Sequence, residues 1–168
     1  MTAANRILAF ADRVTAAEPA PAPAPVERQL HLVTFELDGE AYAVPIAMVR
    51  EVVRVADLTR VPNAPPHIRG VMNLRGRILP VVELRTRLGL APLEPTPAAR
   101  VVVAEVRGRL LGYLVDRVTQ VARIGEGAVT APPDEVVTGS GEAITGIARR
   151  GDRLLLLLEL ERVLDSGA

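Results

Sequence analysis

The sequence predicts a mainly β protein built as a sandwich or a barrel. Ten short apolar runs with β-type alternation follow one another from residue 30 to residue 158, and turn residues separate them. Asp38-Gly39 and Arg107-Gly108-Arg109 have the composition of hairpin turns, because glycine adopts a positive φ without strain. So many strands in about 135 residues favour a sandwich or a barrel.

The ten runs define the predicted strands. In chain order they cover residues 30–37, 41–44, 49–55, 71–74, 78–82, 101–106, 110–115, 118–124, 144–148 and 154–158. Short helices are predicted at 83–88, where Gly89 follows as a C-cap, and at 159–164. Pro80 has no N–H to donate, which predicts that its strand lies at an edge or at a bulge.

The chain contains an internal repeat. A shift of 69 positions aligns residues 32–54 with 101–123 without a gap, and after a longer loop a shift of 76 aligns 68–88 with 144–164. Shared Gly, Arg and Glu residues lie at turns and helix starts, outside the apolar alternation that would match by chance. The repeat predicts two five-strand units, each ending in a short helix, that pack face to face and leave a groove between them.

The first 28 residues are predicted to lie outside the β domain, which spans residues 29–168. Residues 19–26 are rich in proline and alanine, a composition that favours an extended conformation and cannot pack a core, so they are predicted to form a tether. Residues 4–17 are compatible with a short amphipathic helix because apolar residues recur near helical spacing, at Ile7, Phe10, Ala11 and Val14. A frayed tail and a docking peptide both remain open.

Composition excludes several functional classes. Cysteine is absent, which excludes a disulfide scaffold and a thiol nucleophile and fits a cytoplasmic protein. The formal net charge is zero and only four residues are aromatic, so nucleic acid is not expected as a partner. The start of the chain lacks the apolar core of a secretory signal, and the most apolar run, 154–158, is far shorter than the roughly 20 residues of a membrane span.

Candidate catalytic and metal-ligating residues are few. His31 opens a strand and His67 lies in a loop, and neither has a Ser, a Cys or paired carboxylates at a motif spacing. Residues 139–142, Gly-Ser-Gly-Glu, hint at a phosphate loop, but the lysine of that motif is missing. Asp116 and Asp134 are interpreted as turn or cap residues. We therefore predict no catalytic activity, no cofactor and no metal site.

The most informative segment is the polar hairpin tip at residues 73–76, Asn-Leu-Arg-Gly, between two apolar runs. Asn73 and Arg75 share one face of the hairpin because side chains alternate along a strand. At the equivalent position of the second repeat, residues 149–152 read Arg-Arg-Gly-Asp. A symmetric scaffold with different tips predicts two distinct surfaces, as an adaptor needs. The residues alone leave open whether Arg75 is solvated or binds a partner.

A longer series of motifs runs in order along residues 30–165. It comprises Phe35-x-Leu37, Tyr42-x-Val44-x-Ile46, Val49-x-Glu51-Val52, Val61-Pro62-x-x-Pro65, the run from Ile68 to Arg85, Gly112-x-x-Val115-Asp116-x-Val118, Thr145-Gly146-Ile147 and Gly151-Asp152-Arg153-Leu154-Leu155. In content and spacing this series resembles the CheW family of chemotaxis coupling proteins. The chain departs from the family at Arg69, where Lys is frequent.

The resemblance implies two intertwined five-stranded β-barrels, SH3- or OB-like, with short helices. It implies a non-catalytic cytoplasmic scaffold that couples methyl-accepting chemotaxis receptors to the histidine kinase CheA in signalling arrays. Kinase contacts would use the outer apolar ends of the barrels. The receptor-binding groove between the barrels would map onto Val49, Glu51, Arg69, Gly70, Asn73, Leu74 and Arg75.

Several alternatives stay open at this point. Arg75 could clamp a receptor carboxylate or pair with Glu51 to shape the groove. A second functional hypothesis is a regulatory or decoy module that binds the kinase but no receptor, with the N-terminal peptide selecting its partner. A third is a small-molecule binder in the groove between the barrels.

Overall fold

The computed structural model describes residues 28–92, 94–135 and 142–165, which fold into eleven strands and two short α-helices. The strands are β1 (Gln29–Leu37), β2 (Glu40–Pro45), β3 (Val49–Arg54), β4 (Ile68–Leu74), β5 (Arg77–Glu83), β6 (Arg100–Val106), β7 (Arg109–Val115), β8 (Arg117–Gly125), β9 (Val129–Thr130), β10 (Ile144–Arg150) and β11 (Arg153–Leu158). The helices are α1 (Leu84–Arg87) and α2 (Leu160–Asp165), and single 3-10 turns occupy Ile46–Met48 and Glu126–Ala128. The predictions for residues 1–27 and for the glycines at 139 and 141 lie outside the described residues.

The mainly β prediction is confirmed, and all ten predicted strands are formed. The strand that the sequence did not reveal is β9, whose two residues pair with β10 and are too few to show alternation. Both helices begin one residue later than predicted. Gly89 has a φ of 82° and donates a hydrogen bond to the Thr86 carbonyl at 3.1 Å, as expected of a glycine that ends a helix.

The strands form two sheets that exchange hairpins. The six-stranded sheet has the order β8-β1-β2-β11-β10-β9, and the five-stranded sheet has the order β3-β6-β7-β5-β4. Each sheet therefore combines the first hairpin of one repeat with the later strands of the other repeat. Hairpin β1–β2 joins strands β8 to β11, and hairpin β6–β7 joins strands β3 to β5. Parallel pairings make the two joins, β11 on β2 and β5 on β7. The intertwining is confirmed, but the units are not consecutive in sequence, and one of them has six strands rather than five.

Irregularities in strand pairing follow the repeat. A bulge at Arg50 interrupts the register of β3 with β6, and a bulge at Thr119 interrupts that of β8 with β1, 69 positions later. Bulges at Arg69 in β4 and Thr145 in β10 are 76 positions apart. Alternating valines would not place bulges at matching positions, so the structure supports the predicted duplication.

Within the described part of the chain, three apolar clusters make up the core. One cluster lies within the six-stranded sheet around Leu32 and Leu155, and a second lies within the five-stranded sheet around Met72 and Val101. The largest cluster draws residues from both sheets and includes the fully buried Phe35. Because this shared core fills the space between the sheets, the predicted face-to-face packing is present and the two sheets form one body.

The hairpin tips differ in backbone conformation. Asp38-Gly39, Arg75-Gly76 and Arg107-Gly108 each have two successive positive φ angles, as a type I′ turn requires. At the tip between β10 and β11 the positive φ is confined to Gly151, as in a type II′ turn. The two tips that the repeat makes equivalent therefore differ in shape as well as in sequence.

The prediction that Pro80 places its strand at an edge or at a bulge is wrong, because Pro80 pairs in register with Val71 and its strand is an inner one. β5 lies between β7 and β4. The ladder with β7 begins only at Val81, so Pro80 precedes the part of β5 that has two neighbours. This position tolerates a residue without an N–H.

Candidate functional site

The hairpin tip between β4 and β5 is the first part of the candidate site. β4 carries Asn73 and Leu74 to the tip, and Arg75 takes a φ of 51° in the turn. The Gly76 N–H donates a hydrogen bond to Asn73 Oδ1 at 2.8 Å. This bond from a side chain to its own turn holds the backbone from which Arg75 projects.

Arg75 and Glu51 form a bidentate ion pair. The pair joins β3 and the β4–β5 tip, and β3 and β4 are the two edge strands of the five-stranded sheet. Arg75 Nη1 donates to Glu51 Oε2 at 2.7 Å, and Nη2 donates to Oε1 at 2.6 Å. The hydrogen bonds from Arg75 lower the pKa of Glu51, and those to Glu51 raise the pKa of Arg75. Of the two roles left open for Arg75, internal pairing with Glu51 is formed here. The Arg75 side chain is nevertheless 73% exposed, so its outer edge is accessible.

The ion pair borders a concave surface of about 480 Å³ on the five-stranded sheet. Arg50 and Glu105 form a second ion pair on the same surface. Apolar residues lie between the charged ones, and the complete lining is Arg50, Glu51, Leu74, Arg75, Arg77, Val103, Glu105, Gly108 and Leu110. Apolar area with charged residues around it is a composition that suits a protein partner.

The remaining predicted site residues lie elsewhere. Arg69 and Gly70 are at the opposite end of β4, about 20 Å along the strand from Arg75. Arg69 donates hydrogen bonds to Glu83 and Glu94, each at 3.0 Å. Val49 is half-buried and packs against the core that the two sheets share. The seven residues predicted for one groove therefore divide between the tip, the far end of β4 and the shared core.

Gly70 has a structural reason to be glycine. Its φ is 156°, and a Cβ at this position would lie 2.5 Å from the Thr59 carbonyl oxygen. Thr59 and Val71 exchange two backbone hydrogen bonds of 2.9 Å. The absence of a side chain lets the segment at Thr59 approach β4 closely.

Sequence reasoning missed a buried arginine where the two sheets meet. Arg85 in α1 is 7% exposed and donates to Asp116 Oδ1 at 2.8 Å and to Asp116 Oδ2 at 2.5 Å. Asp116 Oδ2 also accepts a hydrogen bond from the Asp38 N–H at 2.9 Å, in the turn between β1 and β2. Burial raises the pKa of Asp116, but the hydrogen bonds from Arg85 and Asp38 together with the positive charge of Arg85 outweigh it, so the net shift is downward. The sequence signal that could have indicated this pair is that Arg85 and Asp116 both belong to motifs that carry the family resemblance.

Glu83 lies beside this cluster and is only 3% exposed. Burial raises its pKa, and the neighbouring Arg69 offsets this only in part. A carboxyl group whose pKa is higher in the folded protein binds its proton more tightly there than in the unfolded chain. Stability is therefore lost as the pH rises through the folded pKa, above the ordinary value near 4.5.

We expect Glu83→Gln to remove this component of the pH dependence. The variant loses one acceptor for Arg69 but no longer places a charge in the interior. Relative to that of the wild type, its free energy of unfolding should increase as the pH rises from 4.5 to 8, so the variant gains stability relative to the wild type over this range. Urea titrations at successive pH values measure this difference, and a difference that stays constant across the range would contradict the prediction.

Comparisons with known proteins decide the family. The family model described as CheW-like domain matches residues 31–168. This chain belongs to the CheW family. The chemotaxis protein CheW of Treponema pallidum is 35% identical over 83% of this chain and 85% of its own length, and that of Bacillus subtilis is 32% identical over 80% and 86%. Among solved structures, the scaffolding protein TtCheW from Thermoanaerobacter tengcongensis is similar, with a TM-score of 0.76 and 31% identity over 83% of this chain and 95% of that chain.

Membership in the CheW family confirms the resemblance and the fold that it implied. It also confirms the assignment of the chain to chemotaxis coupling as an adaptor, and it does not favour a module that binds a kinase alone. Across 28–92, 94–135 and 142–165, no helix has the length and apolar character to cross a membrane. The same residues contain no cluster of three or more His, Asp or Glu side chains that could hold a metal ion.

Proposed function

We propose that this CheW-family protein couples methyl-accepting chemotaxis receptors to the histidine kinase CheA in cytoplasmic signalling arrays, without catalysing a reaction. The observation that carries the proposal is the Arg75–Glu51 pair, held on a type I′ tip beside exposed apolar surface. Preorganised polar groups next to apolar area provide specificity and affinity together.

The tip is proposed to contact the receptor. Arg75 uses two of its five N–H donors for Glu51, so the others are accessible to a carboxylate of a partner. The pair with Glu51 also restricts the side chain, which lowers the entropy lost on binding. Arg75 can therefore both shape the concave surface beside Glu51 and contact the receptor.

The outer apolar ends of the two sheets are proposed to contact the kinase. Ile78 is exposed on the five-stranded sheet, and Leu154, 76 positions later, is exposed on the six-stranded sheet. Val52 and Val121, 69 positions apart, form a second exposed pair. Single exposed apolar residues are ordinary, but exposure at equivalent positions of both repeats favours two related contact surfaces.

We expect Arg75→Glu to reduce co-sedimentation with receptor-containing membranes strongly while kinase binding is retained. The substitution places a second carboxylate opposite Glu51 and removes the donors of the tip, so receptor-bound protein should fall by about tenfold or more. Arg123→Glu is the matched control, because Arg123 is an exposed arginine on β8, in the other sheet. Its binding should equal that of the wild type.

The double variant Glu51→Arg with Arg75→Glu separates the two roles of Arg75. Recovery of receptor binding would indicate that the ion pair shapes the surface, and continued loss would indicate direct contact by Arg75. Wild-type protein that binds CheA but never the receptor would favour the decoy module. Binding to neither partner would overturn the proposed function.

A further inference from the structure

Two grooves correspond to each other through the internal repeat. One groove, of about 350 Å³, lies in the six-stranded sheet, and its apolar lining includes Leu30, Leu32, Pro45, Ile46, Leu157 and Leu158. The other, of about 100 Å³, lies in the five-stranded sheet. Its lining includes Ala99, Leu114 and Val115, which are the residues 69 positions after Leu30, Pro45 and Ile46.

The smaller groove is narrowed by the segment that leads into β6. Glu94, Pro95 and Thr96 line it, and Glu94 is held by Arg69 at 3.0 Å. The Ala99 N–H donates to the Thr96 carbonyl at 3.0 Å, which turns the segment toward β6. A segment that precedes the first strand of a repeat thus lies along the groove of its own sheet.

The equivalent position of the larger groove is open. Ile46, which lines this groove, is 40% exposed. The shift of 69 takes residues 94–96 to residues 25–27, which directly precede Arg28, the first described residue. The chain that would narrow the larger groove is therefore the part just before β1.

The two segments also have similar compositions. Residues 91–98 read Ala-Pro-Leu-Glu-Pro-Thr-Pro-Ala, and residues 22–27 read Ala-Pro-Ala-Pro-Val-Glu. Proline restricts the unbound chain, so an extended proline-rich segment loses little entropy when it binds. It also has few N–H groups to satisfy, which suits a groove lined mainly by apolar side chains.

We propose that residues 22–27 bind in the larger groove of their own chain, with Val26 against Ile46. In this proposal, residues 22–27 of the predicted tether cover part of the six-stranded sheet. The proposal does not depend on the identity of the receptor or of the kinase.

Disulfide cross-linking can test this proposal without competing native thiols, because the chain has no cysteine of its own. Ile46 follows Pro45, the partner of Leu32, and therefore lies beside His31 on the β2 side, whereas Arg123 pairs with His31 on the β8 side. Both positions therefore lie beside His31, but Ile46 lines the groove and Arg123 does not. In the full chain, Val26→Cys with Ile46→Cys should form an intramolecular disulfide about tenfold faster than Val26→Cys with Arg123→Cys.

Equal rates for the two cysteine pairs would overturn the proposal. Preferential cross-linking between molecules would assign the groove to a second copy of the chain and would also overturn it. Amide hydrogen exchange provides a second measurement. Deletion of residues 1–18 should leave exchange at Ile46–Met48 unchanged, and deletion of residues 1–27 should accelerate it; no difference between the deletions would contradict binding in the groove.

Discussion

Replacing Arg85 with methionine is expected to lower the free energy of unfolding by about 3 kcal/mol. Arg85 connects α1, at the end of the five-stranded sheet, with Asp116 and through it with the β1–β2 turn of the other sheet. Its removal leaves the Asp116 carboxylate and the Ala91 carbonyl, which Arg85 reaches at 3.0 Å, without this donor. Because the Asp116 side chain is 33% exposed, water compensates in part, and the loss lies at the lower end for buried pairs.

Urea unfolding measures this loss, and Arg50→Met is the control. Arg50 also forms an ion pair, with Glu105, but its side chain is 58% exposed, so a change below about 1 kcal/mol is expected. The net pKa of Asp116 lies below its ordinary value, so the stability contributed by its charge is present above about pH 4 and is lost as the pH falls through the folded pKa. Wild type and Arg85→Met should therefore converge in acid. Equal losses for the two arginines at pH 7 would contradict a role for Arg85 in joining the sheets.

Gly70→Ala is expected to destabilise the protein by about 3 kcal/mol or more. The added Cβ would be 2.5 Å from the Thr59 carbonyl oxygen, a distance that backbone atoms cannot accept without moving. Movement of this segment breaks the two hydrogen bonds between Thr59 and Val71, and the positive φ adds backbone strain.

Gly76→Ala is the control that separates the steric clash expected in Gly70→Ala from the backbone strain caused by a positive φ. Gly76 has a φ of 84°, but a Cβ there would meet no atom within 4 Å, so only the conformational cost of about 1–2 kcal/mol is expected. Amide exchange at Thr59 is a second readout, because its N–H donates to Val71. Exchange there should accelerate in Gly70→Ala and not in Gly76→Ala; similar behaviour of the two variants would show that the close approach at Thr59 does not matter.

Local patterns were sufficient to predict most of the elements. Alternation of apolar residues depends on which face of a strand is buried, so ten strands were predictable, whereas the two residues of β9 carry no such pattern. The hairpin turns were also predictable from the sequence, because the positive φ angles at their tips favour glycine. The repeat was visible because turns and helix starts constrain residue type wherever they occur.

The candidate site was only partly predictable. Asn73, Leu74 and Arg75 are neighbours in sequence, so their common location followed from the hairpin. The sequence offered the pairing of Arg75 with Glu51 only as one of two possible roles. It could not decide between them because β3, which carries Glu51, and β4, which leads to Arg75, lie at opposite ends of the strand order. Arg69, which occupies the same strand as Arg75, contacts Glu83 and Glu94 instead, since a strand of seven residues separates its two ends by about 20 Å.

By itself, the sequence determined the strands, the turns, the duplication and the resemblance to the CheW family, because each of these depends on local spacing or on residue type. The resemblance implied intertwined barrels, but only the tertiary structure decided that β1–β2 and β6–β7 are the hairpins exchanged between the repeats. Only the tertiary structure showed that Arg85 reaches Asp116 across the junction of the sheets. Partner strands are selected by the total apolar surface that a pairing buries, and both repeats present the same alternation. Local pattern therefore cannot distinguish a strand's own repeat from the other one, whereas the packed core can.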